Sequence, residues 1–180
     1  MSELSVKEAI NNFYQRNDFG DDGGLGQSVN WVKIGFLPLP IFNLPSRKKA
    51  LRIHDIHHVV MGFDTSWKGE TAVSAWEIGS GGWGRLWYVW LIVLSGMAGG
   101  VVLYPKSTKA AFRRGLFMRN AYLCGLDETR MMDMKVAELR QKLETGVSSG
   151  RSYFWWALLS LALVVLPTLL GLFVLWLVFV

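Results

Sequence analysis

All three histidines of the chain, His54, His57 and His58, stand within one five-residue run, with Asp55 between them and Glu70 further on. On a helix, His54 and His58 are four positions apart and project from one face. Asp55 lies about 100° round the same helix from His54, near enough to join the pair or to orient one ring. His57 points elsewhere and is left outside the set. Two imidazoles with one or two carboxylates form a mixed nitrogen and oxygen donor set. Zinc accepts such a set and would keep a coordination position open for water or substrate. Manganese and ferrous iron accept the same ligands, so these residues specify a divalent ion without choosing among the three.

Glu70 cannot share the histidine face on one straight helix, because the intervening residues leave it roughly 160° round and about 24 Å along the axis. A break is therefore required, and residues 46–70 contain one. Gly62 can end a first helix as the residue after its C-cap, and Asp64 or Thr65 can cap a second. If the second helix folds back on the first, His54, Asp55, His58 and Glu70 become the ligand set of a metal site between two helices. Ser46 is the expected N-cap of the histidine helix. Arg47, Lys48, Lys49 and Arg52 crowd its first turns, where the helix dipole disfavours cations, so a compensating anion is expected from outside that helix.

The other elements follow from the same rules. Ser5 with Glu8 three residues on predicts a capping box at the start of a helix over 6–16. The glycine- and aspartate-rich stretch over 18–27 reads as a surface loop. Three prolines within residues 31–45 forbid a regular helix there. That segment reads as an extended apolar strip that covers the core or dips into a lipid interface. The run Gly79-Ser80-Gly81-Gly82-Trp83-Gly84 matches a dinucleotide-binding spacing in form, but it follows a helix with no βαβ unit around it, and it reads as a hinge. Ser107 or Thr108 is the expected cap of a helix reaching Cys124, followed by two short helices capped by Asp127 and Asp133. Arg113, Arg114 and Arg119 are candidates for holding a substrate carboxylate or phosphate, which guanidinium binds bidentately.

Apolar residues make up 51% of the chain, tryptophans number nine and mean hydropathy is +0.26, a balance that points to a membrane protein. Residues 153–180 carry no charge and exceed the length needed to cross a bilayer. Tyr153, Trp155 and Trp156 form an interfacial belt at the start of this span, with Arg151 just outside. Its excess length predicts a tilt of the span or a kink at Pro167, with a re-entrant hairpin folding there as the alternative, although each leg would be too short to span. Residues 86–104 are also uncharged and predict a buried or membrane-inserted helix that walls the site. The expected architecture is thus all-α: a helical, membrane-associated metal domain over 1–146, a flexible linker over 147–152, and a transmembrane helix over 153–180. The net charge of +5 suits anionic lipid headgroups. No nucleic-acid-binding module is present, and no nucleic-acid partner is expected. The single Cys124 excludes an internal disulfide. The polar N-terminus lacks the apolar core of a secretory signal and the composition of a transit peptide. In a bacterium the expectation is an inner-membrane protein with its metal domain on the cytoplasmic side.

The spacing His54-Asp55, two residues, His58, eleven residues, Glu70 resembles the metal signature of the coenzyme Q biosynthesis protein 4 family. The flanks resemble it too: Leu51-Arg52, Gly62-Phe63 and Gly69-Glu70-Thr71-Ala72. Further on, Ala111-Phe112-Arg113-Arg114-Gly115 and Val136-Ala137-Glu138-Leu139-Arg140 look like two helices of that family. The resemblance covers roughly residues 5–145; the apolar tail after Gly150 departs from it. It implies a helical, membrane-associated protein of ubiquinone synthesis acting on a polyprenylated aromatic intermediate. The implied reaction is metal-dependent replacement of the ring carboxyl by a hydroxyl, an oxidative decarboxylation. Implied partners are membrane lipid, the polyprenyl quinone intermediate and other quinone-biosynthesis enzymes. A non-catalytic scaffold for those enzymes is the alternative role.

Overall fold

The structure is a computed structural model that describes residues 3–21, 23, 26, 29–34, 37–42 and 45–179. Its contacts group the chain into two compact units: residues 1–62 with 125–142, and residues 63–124 with 143–180.

The first unit is built on two helices, α1 (Val6–Asn17) and α2 (Pro45–Met61). The expected capping box is present: the Ser5 side chain accepts from the Glu8 N–H, and Glu8 returns to the Ser5 N–H. Helix α1 buries Val6, Ala9, Ile10 and Tyr14, a spacing of three and four residues that aims one stripe inward. Helix α2 begins at Pro45 rather than after a Ser46 cap; proline suits a first helical turn because its missing N–H would be unpaired there anyway. Ile53, Ile56 and Val60 are almost fully buried on α2. Two short helices complete the unit, α6 (Glu128–Asp133) and α7 (Val136–Leu143). Asp127 caps α6 as expected, accepting from the Arg130 N–H at 2.9 Å, whereas Asp133 is the last residue of α6 and not a cap.

Among the described residues the only strands are β1 (Val29–Ile34) and β2 (Leu37–Phe42), an antiparallel hairpin. The proline-rich strip thus departs from a purely helical architecture. Pro38 and Pro40 pair with Lys33 and Trp31. Two positions apart, they turn their nitrogens to the same side, so both missing donors can fall on the outer edge of the ribbon. The side chains of this strip, and Asp22 of the acidic loop, lie outside what is described.

The second unit contains α3 (Trp67–Gly79), α4 (Trp87–Leu103), α5 (Pro105–Gly115) and α8 (Tyr153–Phe179). Helix α3 is buried on nearly every side from Gly69 to Gly79, so its neighbours surround it. Glycines set the closest approaches. A Cβ on Gly79 would meet the Phe112 carbonyl, one on Gly115 the Trp76 carbonyl, and one on Gly96 the Ser74 hydroxyl. The expected helix through Cys124 is shorter than predicted. Helix α5 starts at Pro105, ends at Gly115 and has no side-chain cap from Ser107 or Thr108. Beyond it the backbone bonds elsewhere: the Arg119 N–H donates to Leu143 and the Asn120 N–H to Ser80.

The run 79–84 is a turn, with Gly81, Gly82 and Gly84 at positive φ. Its carbonyls accept from Asn120, Ser149, Arg151 and Trp90. The glycine- and serine-rich linker is therefore tied down through Ser149 and Arg151, contrary to its composition. Helix α8 is continuous through Pro167, which excludes the re-entrant hairpin. It is long and apolar enough to cross a membrane, with Ala157 and Ser160 its buried residues among those described.

Candidate metal centre

The histidine helix is held at several points within its unit. Arg52, in its first half, pairs with Glu128 at 2.7 Å. This supplies part of the anionic compensation that its basic N-terminal half calls for. At the other end Gly62 adopts φ +76°, the left-handed residue that ends α2 as expected. The Arg140 Nε donates to the Val60 carbonyl at 2.7 Å. That carbonyl belongs to the last turn, where no intrahelical donor remains and a cation suits the dipole. Between these anchors, the Tyr14 hydroxyl donates to Asp55 Oδ2 at 2.8 Å. The Phe13 ring stacks on the His58 ring with centroids 5.5 Å apart.

His54 and His58 meet edge to edge: their rings are inclined at 81° and the two Nε2 atoms are 3.1 Å apart. Two Zn–N bonds of about 2.0–2.1 Å at a tetrahedral angle would put the nitrogens about 3.3 Å apart. The observed separation thus fits two nitrogens sharing one ion. Without an ion the same separation suits a single N–H···N bond between the two rings.

Glu70 stands in the first turn of α3. The expected caps Asp64 and Thr65 give way to Ser66, whose hydroxyl accepts from the Gly69 N–H at 3.2 Å. Asp64 instead accepts from the Ser66 N–H at 2.9 Å and from its hydroxyl. Ligand atoms of His54, His58 and Glu70 all lie within 4.8 Å of one another, a cluster that could hold a metal ion. His58 is 2% exposed, while His54 and Glu70 are half-buried. A donor set of two nitrogens and a carboxylate, mostly shielded from bulk water, fits a divalent cation.

The other candidates are placed differently. Asp55 is buried on α2, bonded to Tyr14, and is not part of the three-residue cluster. His57 is fully buried and also outside it. Arg113 and Arg114 occupy the exposed last turn of α5, where cations complement the helix dipole, and Arg119 is exposed in the segment that follows. Phe13 and Tyr14 were not among the residues singled out from sequence. Tyr14 carried a usable signal, since a tyrosine on the buried stripe of an amphipathic helix needs a partner for its hydroxyl.

No family model, curated protein or solved structure matches the chain.

Proposed function

We propose that the protein is a membrane-anchored, metal-dependent enzyme of quinone biosynthesis. Its substrate is a polyprenylated aromatic acid, and the reaction replaces the ring carboxyl by a hydroxyl: the ring–carboxyl bond breaks, carbon dioxide leaves, and dioxygen as co-substrate supplies the hydroxyl oxygen and takes up the two electrons. The observation that carries the reading is the convergence of the His54 and His58 Nε2 atoms, with a Glu70 carboxylate oxygen in the same cluster. The resemblance of the His-Asp-x-x-His and Gly-Glu-Thr-Ala segments to the coenzyme Q biosynthesis protein 4 family supplies the substrate class.

His54, His58 and Glu70 would hold the ion. When bound, it would supply Lewis-acid polarisation of the ring carboxylate or a centre for oxygen chemistry. The Asp55–Tyr14 bond keeps α2 in register with α1, and the Phe13 ring holds the His58 imidazole against rotation. These contacts fix the ring orientations before ligand arrives, so less ordering is required on binding. Burial of His58 excludes water from one side of the pair. The exposed apolar length of α8 is suited to the same lipid phase as a polyprenyl tail.

The test is conversion of a short-chain prenylated 4-hydroxybenzoate in vesicles by the full chain, followed by mass spectrometry of the ring product. Loss of the ring carboxyl with gain of a hydroxyl, abolished by His58→Ala, is expected. Unaltered substrate with wild-type, metal-loaded protein, together with recovery of stoichiometric quinone-pathway enzymes on the same vesicles, would assign it the scaffold role instead.

A further inference from the structure

Helix α4 carries an apolar face that nothing in its own unit covers. Val89, Val93, Met97 and Gly100 point inward, while Trp87, Leu91, Ile92, Val102 and Leu103 are each between 43% and 70% exposed. No charged residue interrupts α4. Cations stand at both its ends: Arg85 precedes it, and Lys106 follows and lines an open recess with Lys68 and Tyr104. In water an uncharged, largely exposed helix face is a liability. Flanked by cations and aromatic residues, it has the layout of a segment resting in a lipid interface.

Two further observations name the occupant. The face is continuous with α8: Trp90 of α4 stacks on Trp156 of α8 with centroids 5.3 Å apart and planes 12° from parallel. The Arg151 guanidinium lies 5.1 Å from the Trp156 ring and 6.0 Å from that of Trp90. Any lipid that surrounds α8 beyond this junction therefore also reaches α4. The second observation is topological. Helices α3 and α5, which enter and leave α4, pack directly on each other through Gly79 and Gly115. Helix α5 carries Lys106, Lys109, Arg113 and Arg114, and a spanning α4 would draw these cations into hydrocarbon beside it, so both ends of α4 belong on one side of the bilayer. Its 17 residues give about 25 Å of helix, at the lower limit for a span and less than the roughly 30 Å of a hydrocarbon core.

We propose that α4 is a monotopic membrane helix. Its Trp87, Leu91, Ile92, Val102 and Leu103 face inserts among lipid acyl chains beside the start of α8, and Arg85 and Lys106 both remain at the headgroups of one leaflet. This rests on the reading of α8 as a membrane anchor, and it adds a second, non-spanning contact.

The test uses the full chain with Cys124→Ser, reconstituted in phosphatidylcholine–phosphatidylglycerol vesicles. Nitroxide labels on single cysteines at Leu91, Ile92 and Leu103 should be relaxed by oxygen more than by a water-soluble nickel chelate, the reverse of a label at Gln141. In a second variant, Arg85→Cys with Lys106→Cys, a membrane-impermeant maleimide should yield molecules carrying two adducts or none. A large single-adduct population would place the two ends on opposite sides and overturn the proposal. Nickel-accessible labels in vesicle-bound protein would overturn the insertion of α4 while leaving α8 as anchor. Dipolar broadening between labels on different molecules would assign the face to a second copy. Failure of the protein to bind the vesicles at all would overturn the anchor reading and this one together.

Discussion

Replacing Tyr14 by phenylalanine deletes one oxygen and keeps the ring. That oxygen donates to Asp55 Oδ2 at 2.8 Å, and both residues are buried, at 4% and 6% exposure. Water cannot readily take the place of the lost donor. A hydrogen bond to a charged acceptor contributes about 1.5–3 kcal/mol, and an acceptor left short of a partner costs a similar amount. The expected destabilisation is therefore about 2 kcal/mol. For a chain of this length that corresponds to a fall in Tm of about 4–8 °C. The assay is thermal unfolding of the detergent-purified full chain, followed by near-ultraviolet circular dichroism. The Asp55→Asn exchange should couple to Tyr14→Phe in a double-mutant cycle, with the second change costing clearly less in the background of the first. A Tyr14→Phe midpoint within about 1 °C of the wild type would refute the reasoning, since on the same scaling it caps the contribution at about 0.5 kcal/mol.

Arg140→Met removes the donor to the Val60 carbonyl at the end of the histidine helix; a loss of about 1 kcal/mol is expected, read by denaturant unfolding. Gly115→Ala drives a methyl group at the Trp76 carbonyl and should cost about 1–3 kcal/mol as overpacking, seen as earlier proteolysis on a temperature ramp. The Glu8 carboxyl is held below its ordinary pKa, chiefly by the backbone hydrogen bond at Ser5 and then by the Ser5 hydroxyl. The associated stability is present above the unfolded-state pKa and is lost as pH falls through the depressed folded value. Ser5→Ala should raise the Glu8 pKa towards its ordinary value, measured by NMR titration, and no change there would contradict the capping box.

Features encoded by local chemistry were legible in the sequence. The spacing of His54 and His58 requires a shared helix face, and α2 delivers it. The Ser5–Glu8 box, the left-handed Gly62 and the uncharged length of α8 each depend on a few neighbouring residues, and each is present. What escaped depends on partners distant in sequence. Helix α5 stops at Gly115 because the following backbone groups find acceptors at Leu143 and Ser80. The β1–β2 pairing places prolines in strands, where only an edge position tolerates them. Three short polar residues compete to cap α3, and the outcome at Ser66 turns on Asp64 bonding back to Ser66 rather than on propensity. Asp55 was legible as a helix neighbour of the histidines, but its bond to Tyr14 spans 41 residues and needed the packed α1–α2 pair.

The central claim is that His54, His58 and Glu70 hold one divalent ion. Elemental analysis of the full chain, purified in detergent without chelator, tests it most directly. About one equivalent of a transition metal is expected in the wild type, with the equivalent lost in His58→Ala and in Glu70→Ala while Gln141→Ala retains it. Folded wild-type protein that stays metal-free after exposure to zinc, manganese and ferrous iron would contradict the account, as would a full equivalent retained by folded His58→Ala.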